Sequence, residues 1–243
     1  MTDGLLLIHA WPLDARMWDA QRQAVGHVPV VAPHLPGFGG SEPSGVVLTM
    51  RAATERLLSE LDAAGVGRTV VCGLSLGGYV AFEVWRTARE RVAGLVLANT
   101  RAVADAPEGA EGRRALAARL RSEGNVLANE PPPLLAEDAS DDLWARVRDW
   151  IADQPAEAIA AAALGMAERP DSTPDLATID VPTLVITSTG DRLIPPAVTA
   201  EMAGQIPGAR LQTIERAGHL SNVEAAEAFA EALQEHLELC GVG

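Results

Sequence analysis

The residues able to do chemistry gather around one serine. Ser75 lies in Val70-Val71-Cys72-Gly73-Leu74-Ser75-Leu76-Gly77-Gly78-Tyr79-Val80, where an apolar, β-rich run stops and a helix-forming run begins at once. Glycines stand two residues to either side. This is the strand–turn–helix setting of a Gly-x-Ser-x-Gly nucleophile elbow. The reason is steric: a serine lifted above a parallel sheet on so sharp a turn is strained, and its second neighbours come too close to carry a Cβ. The five-residue pattern alone arises by accident in about one chain in ten of this length at average glycine usage. The rest of the chain must therefore supply what such a serine needs.

A serine hydroxyl attacks a carbonyl only when a base takes its proton, and the base needs an acid to orient it. On a doubly wound sheet all three belong at the carboxyl ends of strands. Asp191, in Thr187-Ser188-Thr189-Gly190-Asp191-Arg192, follows one strand candidate, and His219, in Ala217-Gly218-His219-Leu220-Ser221, follows another. The order is Ser, Asp, His, unlike the two common protease orders. Asp191 alone reads as a turn residue and His219 alone as a surface histidine. Together, in order and at strand ends, they read as a triad. Rival acids are Glu215 and Asp105; the rival bases His236 and His27 lie in a terminal helix and at the wrong end of a strand. A tetrahedral intermediate also needs N–H donors for its oxyanion. Leu76, heading the helix after the elbow, and Trp11, in the loop after the first strand, are the candidates.

The elements that position these residues alternate. Gly4–His9 reads as a fully buried strand, Val28–Ala32 as a second, Thr69–Leu74 as the elbow strand and Val92–Asn99 as a fourth. Thr49 caps a helix whose Ala53, Leu57, Leu58, Leu61 and Ala64 share a face, and Gly65 stops it. The rhythm resumes at Pro182–Thr187, passes a helix opened by Pro195-Pro196, and returns at Arg210–Ile214. The last helix is expected from Ser221 with Glu224 at capping-box spacing, burying Phe229, Leu233 and Leu237. Strands alternating with helices predict an α/β fold with a doubly wound, mostly parallel sheet. Between about Arg101 and Thr178 the texture becomes Ala-, Arg- and acid-rich, with helices expected near Arg113–Arg121, Asp141–Ile151 and Pro155–Glu168. The organisation expected is a core of residues 1–100 and 179–243, with 101–178 a helical cap inserted between the fourth and fifth strands.

Composition bounds the function. The chain has 243 residues, 48% of them hydrophobic and 21% charged, as in an ordinary soluble domain. A formal net charge of −14 disfavours nucleic acid and anionic membrane as partners, which need clustered Lys and Arg. Two cysteines, Cys72 and Cys240, make no disulfide framework, and the longest early apolar run is too short for a signal peptide or a span. A cytoplasmic location is expected. The five histidines are scattered and no Gly-x-Gly-x-x-Gly follows a strand, so neither a metal nor a nucleotide cofactor is expected.

Across nearly its whole length the sequence resembles the α/β-hydrolase superfamily, specifically its small cap-bearing esterases and lactonases. The matching pieces are Leu7-Ile8-His9-Ala10-Trp11-Pro12, Leu35-Pro36-Gly37-Phe38-Gly39-Gly40-Ser41, Gly73–Gly78, Gly190-Asp191 with Pro195-Pro196, and Gly218-His219-Leu220-Ser221. Leu97–Arg101 and the segment after it are similar to 3-oxoadipate enol-lactonases and related carboxylesterases. Three departures stand out. His9 is followed by Ala10 where the family has Gly, His34 stands where it often has Asp and reads as a turn residue, and no antiparallel hairpin precedes the first parallel strand. The sheet expected therefore has about six strands with the second at an edge, where a homodimer could pair. Serine rather than aspartate at the elbow implies acyl transfer on a small-molecule ester or lactone, through an acyl-enzyme on Ser75 that water, activated by His219, hydrolyses. The resemblance leaves open an enol-lactone hydrolase and, in a different class, a ligand sensor with little turnover. Within the expected cap, Leu143, Val147, Trp150 and Ile151 form a packing stripe, while Trp144 lies off it as a pocket candidate. Arg101 and Arg192 are candidates to meet a substrate carboxylate, or to serve as surface ion-pair residues.

Overall fold

A computed structural model describes residues 2–243. In chain order the elements are β1 (Thr2–Ile8), a 3₁₀ turn (Ala15–Trp18), α1 (Asp19–Ala24), β2 (Val30–Val31), α2 (Met50–Ala63), β3 (Val66–Leu74), α3 (Leu76–Ala88), β4 (Val92–Ala98), α4 (Pro107–Glu123), α5 (Asp141–Ala152), α6 (Ala156–Ala167), α7 (Thr173–Leu176), β5 (Thr183–Ser188), α8 (Pro196–Gly204), β6 (Arg210–Ile214), α9 (Ser221–Glu224) and α10 (Ala226–Leu239).

The six strands form one all-parallel sheet in the order β2-β1-β3-β4-β5-β6. Helices cover both faces, which is why the central strands run apolar without alternation: every residue of β4 is buried. Register brings the carboxyl ends level, with Ile8 beside Gly73, Leu74 beside Ala98, Ala98 beside Ile186 and Ser188 beside Ile214. Every loop that carries a candidate residue leaves the sheet along this one rim.

β2 is at the edge, as expected, and shorter than its apolar run suggested. Only Val30 and Val31 pair, because Pro29 has no N–H to give; its carbonyl instead accepts from Leu5 N at 2.8 Å. α2 begins as expected, with Thr49 Oγ1 accepting from Ala52 N at 3.0 Å. Its Ala53, Leu57 and Leu61 are buried, and Gly65 takes φ +69° beyond its end. No strand lies between β4 and β5; helices α4 to α7 fill that stretch. α4 starts at Pro107, six residues before the expected Arg113, because proline is pre-shaped for the first turn. α6 packs on α4 and is buried along Ala158–Ala163. A Cβ on Gly165 would strike the Leu48 carbonyl, so α6 lies directly against the chain before α2.

The last helix departs from expectation. It is broken at Ala225 (φ −127°, ψ 56°) into α9 and α10. Ser221 caps nothing, since its hydroxyl donates to Asn99 Oδ1 at 2.6 Å, and Glu224 turns to the amides of Gly218 and Ala136. Tertiary partners outcompete the local capping box here. α10 still buries Phe229, Leu233 and Leu237, each worth about 1.5–3 kcal/mol of transfer free energy.

Candidate active site

β3 delivers Ser75 into the left-handed region, at φ 56° and ψ −113°, a geometry that costs a non-glycine residue about 1–3 kcal/mol. Neighbours hold it there. Ser75 N donates to Ala98 O at 3.0 Å, and the Ser75 carbonyl accepts from Gly78 N and Thr100 Oγ1, both at 2.9 Å. The flanking glycines are a packing requirement. A Cβ on Gly73 would run into the Gly77 carbonyl, one on Gly77 into the Ile8 carbonyl, and one on Gly78 into the Thr100 side chain.

His219 and Asp191 are brought together from the loops after β6 and β5. His219 Nδ1 lies 2.9 Å from Asp191 Oδ2, and both side chains are buried. Asp191 Oδ1 accepts from Leu193 N at 2.9 Å and Ile194 N at 3.0 Å, and Oδ2 also accepts from Asn99 Nδ2 at 2.9 Å. Burial by itself would raise the Asp191 carboxyl. The hydrogen bonds from His219, Ile194 and Asn99 outweigh it and hold the group below the ordinary carboxylate value. An ionised Asp191 requires the proton on His219 Nδ1, which leaves Nε2 as the basic nitrogen. Ser75 and His219 line one cavity of about 110 Å³, shared with Trp11, Tyr79, Arg101, Arg113, Pro132, Met166, Leu193 and Ile194. A larger, open concavity of about 620 Å³ lies outside Asp191, between Glu137, Asp138, Arg192 and Arg216. It holds neither Ser75 nor His219, so size alone would misplace the site.

Trp11 and Leu76 border the serine, and neither amide has a protein acceptor among the described residues. The Trp11 indole does have one, donating to Ile159 O at 3.0 Å and so tying the loop after β1 to α6. His9 anchors the same loop. Its Nδ1 donates to Ala10 O at 3.0 Å and its Nε2 accepts from Leu35 N at 2.9 Å, while burial pushes its pKa down to about 4. His34 accepts from Ala15 N at 3.3 Å and occupies the space a Gly39 Cβ would need, which makes it a turn residue.

Two further residues, Asn99 and Glu224, carry the acid–histidine corner in roles the sequence does not signal. Asn99, at φ 44° on the end of β4, donates to Asp191 and to Ser188 Oγ (2.7 Å) and accepts from Ser221. Asparagine is among the few side chains that tolerate this backbone, which is the only hint a reader of the sequence has. Glu224 accepts from Gly218 N at 2.6 Å and Ala136 N at 2.8 Å, joining the histidine loop to the 134–136 segment, where Leu134 O also accepts from Leu220 N at 3.0 Å. Burial raises the Glu224 carboxyl, these hydrogen bonds oppose it, and Asp138 and Asp191 add to the rise.

Arg101 lines the cavity, in company the sequence did not reveal. Arg101, Arg113 and Arg169 all converge on Asp105, whose side chain is 2% exposed. Arg169 also lies 4.0 Å over the Tyr79 ring and donates to Val103 O at 2.7 Å. Trp144 is not at the cavity. It is half-buried on α5 beside Val147 and Ile151, packed against the hydrophobic core with the Arg148 guanidinium 5.5 Å from its ring. Arg192 is exposed on the outer concavity. Glu215 and His27 are exposed, and His236 is buried 3.6 Å from Cys240 Sγ with its pKa pushed down to about 4 by burial. Cys72 is wholly buried in β3, which drives its thiol pKa far up. Among the described residues no group of three or more His, Cys, Asp or Glu side chains is placed to hold a metal ion, and no helix is long and apolar enough to cross a membrane.

Several known proteins resemble the chain in sequence and fold. The chain is 41% identical to a thermophilic esterase from Thermogutta terrifontis, solved malate-bound, with a TM-score of 0.94 over 99% of this chain and 92% of that one. It is 28% identical to the enol-lactonase from Burkholderia xenovorans LB400, with a TM-score of 0.88 over 98% of this chain and 92% of that one. The pimeloyl-[acyl-carrier protein] methyl ester esterase of Neisseria meningitidis is 29% identical over 241 residues, covering 96% of this chain and 92% of that protein. The model of the Alpha/beta hydrolase family matches residues 5–232, and the chain belongs to that family.

Proposed function

We propose that the protein is a serine hydrolase of carboxylic esters. The observation that carries this reading is the convergence of three loops on one small cavity: a strained Ser75, and His219 bonded through Nδ1 to an Asp191 that four donors surround.

The chemistry follows from the roles. As Ser75 Oγ attacks the ester carbonyl carbon, its proton passes to His219 Nε2, and Asp191 stabilises the imidazolium and fixes its tautomer. The carbonyl oxygen, now an alkoxide, takes hydrogen bonds from the Trp11 and Leu76 amides, which have no other acceptor. The helix dipole of α3 favours negative charge at Leu76. Collapse of the intermediate expels the alcohol, which takes the proton back from His219, and leaves an acyl-Ser75. Water then attacks the acyl carbon with His219 as base, and the acid is released. A cyclic ester would follow the same steps, with the alcohol still tethered. The helices between β4 and β5 serve as a cap: α6 supplies Met166 to the cavity and α4 supplies Arg113.

The test is turnover of p-nitrophenyl acetate and butyrate by wild type and Ser75→Ala. Serine-dependent release supports the hydrolase. Undiminished release by Ser75→Ala would refute the assignment, and absence of turnover in both with tight small-molecule binding would favour the sensor reading.

A further inference from the structure

The wall of the cavity facing Ser75 is cationic, in a chain whose net charge is −14. Arg101, Arg113 and Arg169 share the single buried carboxylate of Asp105. Counting the exposed Asp171 against Arg169 still leaves one guanidinium charge with no counterpart, and it stands on the cavity side. Donor capacity is in surplus as well. Arg113 gives its Nε to Asp105, which leaves both terminal nitrogens without a protein acceptor among the described residues. Arg113 lines the cavity with a side chain 23% exposed, so these two nitrogens can be offered to a ligand there. Arg101 reaches Asp105 through one terminal nitrogen, and its side chain, 30% exposed, lines the cavity. Arg169 is the structural member of the three. It is 2% exposed, closes over Tyr79 and fixes Asp105, so that Asp105 holds the other two guanidiniums at the cavity.

We propose that Arg101 and Arg113 form an anion subsite on the wall of the Ser75–His219 cavity, which takes a carboxylate carried by the ester or lactone substrate. Two-pronged guanidinium recognition suits a planar carboxylate. Arg101 and Arg113 line the same cavity as Ser75 and His219, so the carboxylate and the scissile ester must lie within one small substrate. The preferred class is therefore the half-esters of short dicarboxylic acids, or lactones with a pendant carboxylate. This rests on the hydrolase reading above and deepens it.

The experiment compares monomethyl succinate with methyl levulinate, a neutral ester of nearly the same shape, by kcat/KM in a pH-stat. Wild type is expected to favour the anion at least tenfold, and Arg113→Gln and Arg101→Gln each to lower that ratio at least fivefold. Raising ionic strength should lower the ratio too, a readout that survives if a variant fails to fold. A wild-type ratio of one or less, with methyl levulinate hydrolysis still dependent on Ser75, overturns the subsite and leaves the hydrolase standing. If neither ester turns over, calorimetric binding to Ser75→Ala decides: preference for the anion keeps the subsite while the hydrolase reading falls, and equal or absent binding overturns the subsite.

Discussion

The serine corner and the acid–histidine corner are built by different physics. At Ser75 the geometry is enforced by contact: Gly73, Gly77 and Gly78 lie where a Cβ would meet the Gly77 carbonyl, the Ile8 carbonyl and Thr100. At Asp191 and His219 it is enforced by a polar network, through Asn99, Ser188, Ser221, the amides of Leu193 and Ile194, and Glu224. A steric corner should fail by losing the fold, because close-packed backbone cannot yield. A hydrogen-bonded corner should fail by losing catalysis, since a misaimed imidazole still packs.

Asp191→Asn breaks the polar corner most directly. Amide donors cannot hold the His219 tautomer, so kcat is expected to fall by about 10⁴-fold with the fold retained. The same variant tests linkage. The Asp191 carboxyl titrates lower folded than unfolded, so the unfolded chain binds the extra proton first, and the stability it contributes is present above the ordinary carboxylate value and lost as pH falls through the folded one. Urea unfolding at a series of acidic pH values should therefore show a shallower loss in Asp191→Asn than in wild type.

Gly77→Ala tests the steric corner. Its new Cβ meets backbone of β1 rather than a movable side chain, and a loss of about 3 kcal/mol or failure to fold is expected from denaturant midpoints. Wild-type stability in this variant would show that the two corners are not built differently. Asn99→Ala is next. It removes donors to Asp191 and Ser188 and leaves the Ser221 hydroxyl unpaired, for a loss of about tenfold in kcat/KM. Glu224→Gln should do least, at a few-fold in kcat/KM. Because the Glu224 carboxyl titrates higher folded than unfolded, its contribution is fully present at acidic pH and declines as pH rises through its folded value. The glutamine variant, measured by the same unfolding series, should lack that decline.

The difference between the corners also explains what was legible in the sequence. Steric constraints write themselves locally, as glycines two residues from a serine and as unbroken apolar strands, and the sheet with its edge β2 followed from them. The order of Ser75, Asp191 and His219 was readable because parallel strands put their loops on one rim. Asn99 and Glu224 were not. Each works through partners from other loops, and Ser221 with Glu224 has the spacing of a capping box that tertiary bonds override. Arg113 and Arg169 were hidden for the same reason, since only the packing of α4 and α6 brings them to Asp105. Helical spacing placed the packing stripe of α5 and drew it too narrow, since Trp144 beside Ile151 also packs on the core.

The central claim is that Ser75 is the nucleophile, and a mass measurement tests it most directly. Wild type treated with a small fluorophosphonate should gain one label per chain, mapped by peptide sequencing to Ser75, with ester turnover lost in step. Labelling should disappear in Ser75→Ala and slow strongly in Asp191→Asn. Full loss of turnover with the label on another residue, or unabated turnover with Ser75 fully labelled, would contradict the account.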